Sequence, residues 1–494
     1  MDTELIEPTA VDRDSLIQSL RAILPEHCLL SEAETLRPYE CDALSAYRQC
    51  PLLVCLPETV EQVQAVLQIC HRLGVPVVAR GAGTGLSGGA LPLADGVLLG
   101  LAKFNRILDI DAANRLARVE PGVRNLAVTE AAAVHGLYYA PDPSSQIACT
   151  IGGNVAENSG GVHCLKYGLT VHNVAAMKIL TCDGRLLEFG SRSLDSPGYD
   201  LPALMSGSEG LLGVIIEVTL RLLPLPESTQ VMLAAFDSVE SAADAVASVI
   251  AAGIIPAGLE LMDNPAIRAA EAYAGAGYPV DAAAILLCEL DGNAAETAAQ
   301  VERVRACLIA AHAKDIRIAA DAAERKRFWA GRKAAFPAVG RLAPDYYCMD
   351  GTIPRRRLPE VLRQIALWSD EFGLPVANVF HAGDGNLHPL ILYDANKPGE
   401  LERTEEFGGR ILELCLAVGG TITGEHGVGV EKLAQMCTQF GTDELRQFHL
   451  IKDAFDPRRL LNPGKAVPTL HRCAELGRMH VHAGNVPFPD LDRF

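Results

Sequence analysis

The sequence predicts an α+β chain of two main domains, a sheet-rich one over residues 51–225 and a helix-covered, mainly antiparallel one over residues 226–466. Three observations carry this. Between residues 51 and 224, short β-rich runs alternate with glycine clusters. Around Pro224 and Pro226 the composition turns to alanine-rich helical tracts alternating with strands. At 494 residues, the chain is also longer than one core ordinarily fills.

In order, residues 1–50 read as an N-terminal helical segment. PLLVCL opens the first domain as a strand, and ETVEQVQAVLQICHRLG follows as a helix, with apolar residues at helical spacing and a closing glycine. VPVVAR, GVLLGL, LARVEPG, VAAMKILT and GVIIEVTLRLLPL then read as strands. In the second domain SVESAADAVASVIAAG and AAETAAQVERVRACLIAAHA carry the helical period, with AAAILLCEL and RIAAD as strands. Downstream, the helices PEVLRQIALWSDEFG and RTEEFGGRILELCLAVGG flank a hairpin of PVANVF and HPLILYD, and LLNPGK closes the domain. Residues 467–494 form a tail.

Composition narrows the function. With 43 basic against 61 acidic residues the formal charge is −18, which repels phosphate backbones and excludes nucleic acid as a partner. No stretch of about 18 residues escapes a charge. The best candidate, LLGVIIEVTLRLLPL (211–225), is broken by Glu217 and Arg221, so no membrane anchor is expected. The N-terminus MDTELIEPTAVDRDSL is acidic and lacks the parts of a secretory signal, which implies a cytoplasmic chain. Fourteen irregularly spaced cysteines then read as reduced, buried thiols. Without any CxxC, an iron–sulfur cluster is not expected in this chain.

VVARGAGTGLSGGALP (77–92) contains G-x-G-x-x-G at Gly83, Gly85 and Gly88. A dinucleotide fingerprint needs a helix after the glycines, whereas this loop runs into ALPLADGVLLGL, a second strand, so the NAD(P) reading fails. Gly81 to Gly89 is longer than a hairpin needs, and its backbone N–H groups can wrap a diphosphate; a plain hairpin loop is the alternative. PDPSSQIACTIGGNVAENSGGVHCLKYG (141–168) adds proline-fixed turns, two double glycines and the polar run Asn154, Glu157, Asn158 and Ser159. GSEGLLGVI (207–215) brings glycines to the edge of another strand. Together the three clusters call for one large ligand with phosphates and a flat ring.

On these residues the first domain resembles the FAD-binding domain of the vanillyl-alcohol-oxidase (PCMH) flavoprotein superfamily. The resemblance implies that RGAGTGLSGG holds the pyrophosphate through Arg80, Gly81, Gly83, Thr84, Gly85, Ser87 and Gly88. It implies that Pro141, Asp142, Gly152, Gly153, Asn154, Asn158, Ser159 and Gly160 surround the isoalloxazine and ribityl. Gly207, Glu209, Gly213, Val214 and Ile215 form the later FAD segment, and Asn462 of LLNPGK, in a C-terminal segment returning to the flavin, completes the set. Relatives with covalent flavin carry a histidine about where Thr84 stands, so noncovalent FAD is implied.

FHAGDGNLHPL (380–390) sets His381 and His388 on either side of a Gly-Asp-Gly-Asn turn. Two imidazoles so placed can meet one metal ion, and an open catalytic site wants a third ligand, often a carboxylate. TITGEHGVG (421–429) offers Glu425, with His426 pointing elsewhere to face a substrate. Surface or hydrogen-bonded histidines are the alternative.

H-x-G-D-G-N-x-H followed by G-E-H-G, with RFWAGR before and LNPGK after, is similar to the catalytic region of the FAD-dependent 2-hydroxyacid dehydrogenases, which act on glycolate, D-lactate and D-2-hydroxyglutarate. That resemblance implies His381, His388 and Glu425 as ligands of a divalent metal, zinc being favoured, His426 as general base, and Arg332 as the clamp on the substrate carboxylate. Longer stretches, from FWAGRKAAF to the tail, resemble the FAD-binding catalytic subunits of bacterial glycolate oxidases. Cys348 and Leu390 stand where many relatives carry lysine and asparagine, and the lost polar contacts fit a small 2-hydroxy acid. Such a chain would pass a hydride to flavin N5 and its electrons to a second flavin subunit, an iron–sulfur subunit and quinone, reaching the membrane only through partners. A noncatalytic FAD-carrying electron-transfer subunit and a D-lactate dehydrogenase are the rival readings. The tail histidines His471, His480 and His482 read as a surface or docking extension rather than a metal cluster.

Overall fold

The computed structural model describes residues 12–193 and 198–469. The first regular element is the helix Arg13–Arg21, capped by the side chain of Asp12, which buries Leu16, Ile17 and Leu20. These residues join a core with Val63, Val66, Leu67 and Cys70 of the helix Val60–Leu73. That spacing is one helical stripe, and the helix stops where Gly74 enters the left-handed region at φ 72°.

The first sheet orders its strands Leu29–Leu30, Leu53–Cys55, Val97–Gly100 and Val77–Arg80. Two features depart from the sequence reading. Residues 1–50 are not only helical, because Leu29–Leu30 pairs antiparallel with Leu53–Cys55 and supplies an edge strand. Val77–Arg80 and Val97–Gly100 pair in parallel, so the glycine loop between them is a crossover and not a hairpin. A second, wholly antiparallel sheet runs Ile107–Asp111, Leu116–Val119, Val214–Arg221, Val174–Leu180 and Leu186–Gly190.

The cap is one seven-stranded antiparallel sheet, in the order Asp315–Ile318, Ser228–Phe236, Ala284–Gly292, Gly258–Asp263, Val376–Phe380, Pro389–Tyr393 and Asp345–Cys348. Alternate residues of Ser228–Phe236 enter two separate cores. Met232, Ala234 and Phe236 pack with the helices Val239–Ala251, Leu358–Phe372 and Glu400–Ala417. Val231, Leu233 and Ala235 pack with Asn264–Ala274, Ala322–Lys333 and Ala335–Val339. Both faces are therefore covered by helices.

Three of the tethers between cap and first domain lie at the cap's strands and closing segment. His163 takes Asp142 through Nδ1 at 2.9 Å and Glu289 through Nε2 at 3.0 Å. Tyr167 donates to Asp291 Oδ2 at 2.7 Å. The closing LLNPGK returns to Val77–Arg80: Val77 N donates to Leu460 O and Asn462 N to Val77 O, each at 2.8 Å. Among the described residues no helix is long and apolar enough to cross a membrane. Twelve of the described cysteines are free thiols. His471, His480 and His482 lie outside the described residues.

Candidate active site

A cavity of ≈580 Å³ separates the glycine loops of the first domain from the cap, within the roughly 300–1,000 Å³ usual for ligand pockets. Its wall takes Arg80, Gly81, Gly83, Thr84 and Gly85 from the crossover loop. Gly152, Gly153, Asn154 and Ser159 come from the helix Ile151–Glu157 and the turn after it, and Glu209, Gly213 and Ile215 from the loop entering Val214–Arg221. The far end reaches His388, Glu425 and His426, with Lys333, Phe336 and Tyr346 beside them. Gly81 shows why glycine is needed: a Cβ there would collide with Thr150 Oγ1.

Ser87, Gly88, Pro141, Asp142, Asn158, Gly160, Gly207, Val214 and Asn462 do not line this cavity but stand behind it. Most of these polar groups are committed to holding loops in place. Ser87 Oγ donates to His426 O at 2.9 Å. Asp142 is occupied by His163. Asn158, left-handed at φ 52°, ends its helix and accepts from Val171 N at 2.9 Å. Asn462 Nδ2 donates to Gly89 O at 2.9 Å and Glu209 O at 2.7 Å. Gly160 lies against Glu425, since a Cβ there would sit 2.5 Å from Glu425 Oε2. Glu209 does line the cavity, yet its carboxylate accepts Val428 N and Gly429 N, each at 2.7 Å, and so ties the first domain to the loop of His426.

His381, His388 and Glu425 converge as the spacing predicts. Glu425 Oε1 lies 3.1 Å from His381 Nε2 and 2.9 Å from His388 Nε2. One donor atom from each of the three falls within 4.8 Å of the others. His381 Nδ1 faces Glu260 Oε1 and Oε2 at 2.9 and 3.0 Å, and His388 Nδ1 faces Met349 O at 3.4 Å. Both rings thus have Nδ1 engaged, which leaves Nε2 of each facing Glu425. Burial alone would lower the His381 pKa and raise that of Glu425, but Glu260 and the charges the two exchange reverse both directions. Two Nε2 atoms and a carboxylate in a buried pocket fit a divalent metal.

His426 stacks on His388 with ring centroids 4.9 Å apart. Burial pushes its pKa down to about 4, outweighing the nearby Asp350 charge, so the ring is neutral near pH 7. Its Nδ1 is buried without a partner. Arg332 is 1% exposed and does not line the cavity. Its Nε donates to Glu260 Oε2 at 2.9 Å and Nη2 lies 2.7 Å from the same oxygen as an ion pair, but neither Nη1 nor Nη2 has a hydrogen-bond partner.

Sequence reasoning missed the groups behind these residues. Glu260 joins Arg332 to His381, and the only signal was an acid inside the apolar strand run GLELMD. Asp350 gathers the TGEHG loop: it accepts Thr423 Oγ1 at 2.5 Å, Gly424 N at 3.1 Å and His426 N at 2.9 Å, and pairs with buried Lys432 at 3.2 Å. Burial would raise the Asp350 pKa, but His426 and Lys432 hold it well below the carboxylate range. Lys465 donates to Gly89 O at 3.1 Å, fastening the crossover loop.

Residues 51–190 match the family described as FAD binding domain, and residues 225–466 match FAD linked oxidases, C-terminal domain. The chain is 65% identical to "Glycolate oxidase subunit GlcD" of Escherichia coli (strain K12), over 98% of this chain and 97% of that protein. It is 32% identical to a D-lactate dehydrogenase of Anaerostipes hadrus, over 91% and 96% of the two chains. The fold resembles that of p-cresol methylhydroxylase with substrate bound, at a TM-score of 0.78 and 17% identity over 92% of this chain and 97% of that one. The cavity, its glycine loops and the matches over both domains lead to one conclusion: the chain belongs to the FAD-linked oxidases, with a PCMH-type FAD-binding domain and the family's C-terminal domain.

Proposed function

We propose that the chain is the catalytic, FAD-carrying subunit of a glycolate-oxidising enzyme, converting a small 2-hydroxy acid to its 2-oxo acid, glycolate to glyoxylate. The observation that carries this is the convergence of His388, Glu425 and His426 on the FAD cavity of a chain 65% identical to a glycolate oxidase subunit.

FAD, held noncovalently, supplies the acceptor for the α-hydrogen as hydride, and a divalent metal, zinc in this reading, supplies the Lewis acid that lowers the hydroxyl pKa. His381, His388 and Glu425 hold the metal, with Glu260 and the Met349 carbonyl orienting the two rings. Neutral His426 takes the hydroxyl proton on its free Nδ1. Arg332 is held by Glu260 outside the cavity lining, and its remaining guanidinium nitrogens are the donors this reading assigns to the carboxylate. Cys348 and Leu390 are directly opposite across paired strands, and Cys348 Sγ lies within 4.8 Å of the nearest His388 and His426 ring nitrogens. Neither residue lines the cavity, so the preference for glycolate over longer acids rests on the 65% identical relative.

The chain works in a hetero-oligomer with a second flavin subunit and an iron–sulfur subunit that carry electrons toward quinone. It resides in the cytoplasm, peripheral to the inner membrane through those partners. The D-lactate dehydrogenase relative favours one second reading, a chain that prefers D-lactate.

Anaerobic titration with glycolate, then D-lactate, tests the proposal by bleaching of the flavin band near about 450 nm. Bleaching by glycolate at lower concentration than by D-lactate is expected, and a bound flavin that neither acid bleaches in metal-replete protein overturns the catalytic assignment. A chelator is expected to abolish the bleaching and added zinc to restore it. Glu260→Gln is expected to weaken metal retention by about 10–100-fold in competition dialysis, because His381 loses the charge that orients it. Metal retention equal to wild type would remove Glu260 from the site.

A further inference from the structure

Glu157 is a cavity-wall acid that the reaction above does not use. It ends the helix Ile151–Glu157, lines the cavity, and has its Oε2 buried without a hydrogen-bond partner. Facing it, Glu209 has its two oxygens committed to Val428 N and Gly429 N. The two carboxyls crowd the same space. A Cβ on Gly89 would lie 2.6 Å from Glu157 Oε1 and 3.7 Å from Glu209 Oε2, and one on Gly427 would meet Glu157 Oε2 and, at 2.9 Å, Glu209 Oε1.

Two carboxyls packed together away from water do not both ionise. Backbone donors stabilise the ionised form of Glu209, so the proton stays on Glu157. Burial raises the Glu157 pKa well above its ordinary value, reinforced by Glu209 and by Asp42 of the N-terminal segment; Lys432 and Lys465, from the C-terminal part, oppose it and do not prevail. An ionised Glu157 would set its lone pairs against the oxygens of a bound dinucleotide, whereas the acid form presents an O–H.

We propose that Glu157 is a cofactor-positioning carboxyl that stays neutral in the cavity and donates its O–H to an acceptor atom of bound FAD, while Glu209 carries the charge that fastens the His426 loop. This rests on FAD as the occupant of the cavity. It carries a pH signature: FAD prefers the protonated protein, so affinity is full below the pKa of Glu157 in the empty protein and falls as pH rises through it.

The test is FAD release on dilution of holoprotein, followed by free-flavin fluorescence from about pH 6 to about pH 9.5, for wild type, Glu157→Gln and Glu157→Ala. Wild type is expected to lose about tenfold in affinity across that range. Glu157→Gln, which keeps a donor and cannot ionise, is expected to bind within about threefold of wild type at the acid end and to fall less than wild type as pH rises, the remainder coming from Lys465, whose pKa burial lowers to about 8. Glu157→Ala is expected to bind about tenfold more weakly there, with the same residual dependence. A Glu157→Gln profile that follows the wild type, or a flat wild-type profile, overturns the role of Glu157 and leaves the FAD assignment standing. Wild-type protein that retains no FAD at any pH overturns both.

Discussion

Replacing His426 with alanine is expected to slow flavin reduction by glycolate by about 10²–10⁴-fold, the range for loss of a general base, while the bound flavin spectrum stays that of wild type. The side chain is suited to the base role in two ways. Burial holds it neutral, with its pKa at about 4, and its Nδ1 is unpartnered. Its backbone, by contrast, carries the loop: His426 N donates to Asp350 and His426 O accepts from Ser87. Alanine keeps both backbone bonds, so FAD retention and thermal unfolding should change little. Rapid-mixing reduction at saturating glycolate makes the measurement. A variant reduced within about threefold of the wild-type rate would mean that another group takes the proton.

Asp350→Ala is expected to be the most damaging change to stability, at about 3–5 kcal/mol in urea unfolding. Asp350 and Lys432 are both fully buried and pair at 3.2 Å. Removing the carboxylate leaves the buried ammonium only Gly427 O and the more distant Glu431, and deprives Thr423 Oγ1 and His426 N of their acceptor. Asp350→Leu combined with Lys432→Met is expected to recover part of the loss, because the paired charges leave together, although buried Glu431, 3.5 Å from Lys432, then loses its cation. The folded pKa of Asp350 lies below the unfolded value near about 3.9, so its contribution is complete above that value and disappears as pH falls through the folded one. Wild type should therefore lose stability more steeply than the double variant below about pH 4. Equal unfolding midpoints for Asp350→Ala and wild type would show that the buried pair does not support the loop.

The histidine cluster and the FAD loops were legible because their information is local. His381 and His388 bracket one turn, and Glu425 sits in a glycine run of its own, so spacing offered the three as one possible cluster, and the resemblance to 2-hydroxyacid dehydrogenases named them as metal ligands. Arg332 was legible as a residue and not as a geometry. Its guanidinium is turned onto Glu260, 72 positions away in sequence, and no spacing rule reports that pairing. The expected FAD set was partly a set of loop fasteners for the same reason. Ser87, Asp142 and Asn462 occur in glycine-rich motifs that mark a ligand, but Ser87 Oγ, the Asp142 carboxylate and Asn462 Nδ2 are each spent on another loop.

By itself the sequence determined what depends on near neighbours: the helix from Val60 to Leu73 through its apolar stripe and Gly74, the alternating strands of the cap, and the glycine loops whose backbone must approach a ligand closely. Only the tertiary structure decided the parallel pairing across the crossover loop, the edge strand lent by Leu29–Leu30, and the buried pairs Asp350–Lys432 and Glu260–Arg332. Hydrophobic period and glycine geometry act over a few residues, whereas a buried charge takes its partner from whichever element packs against it.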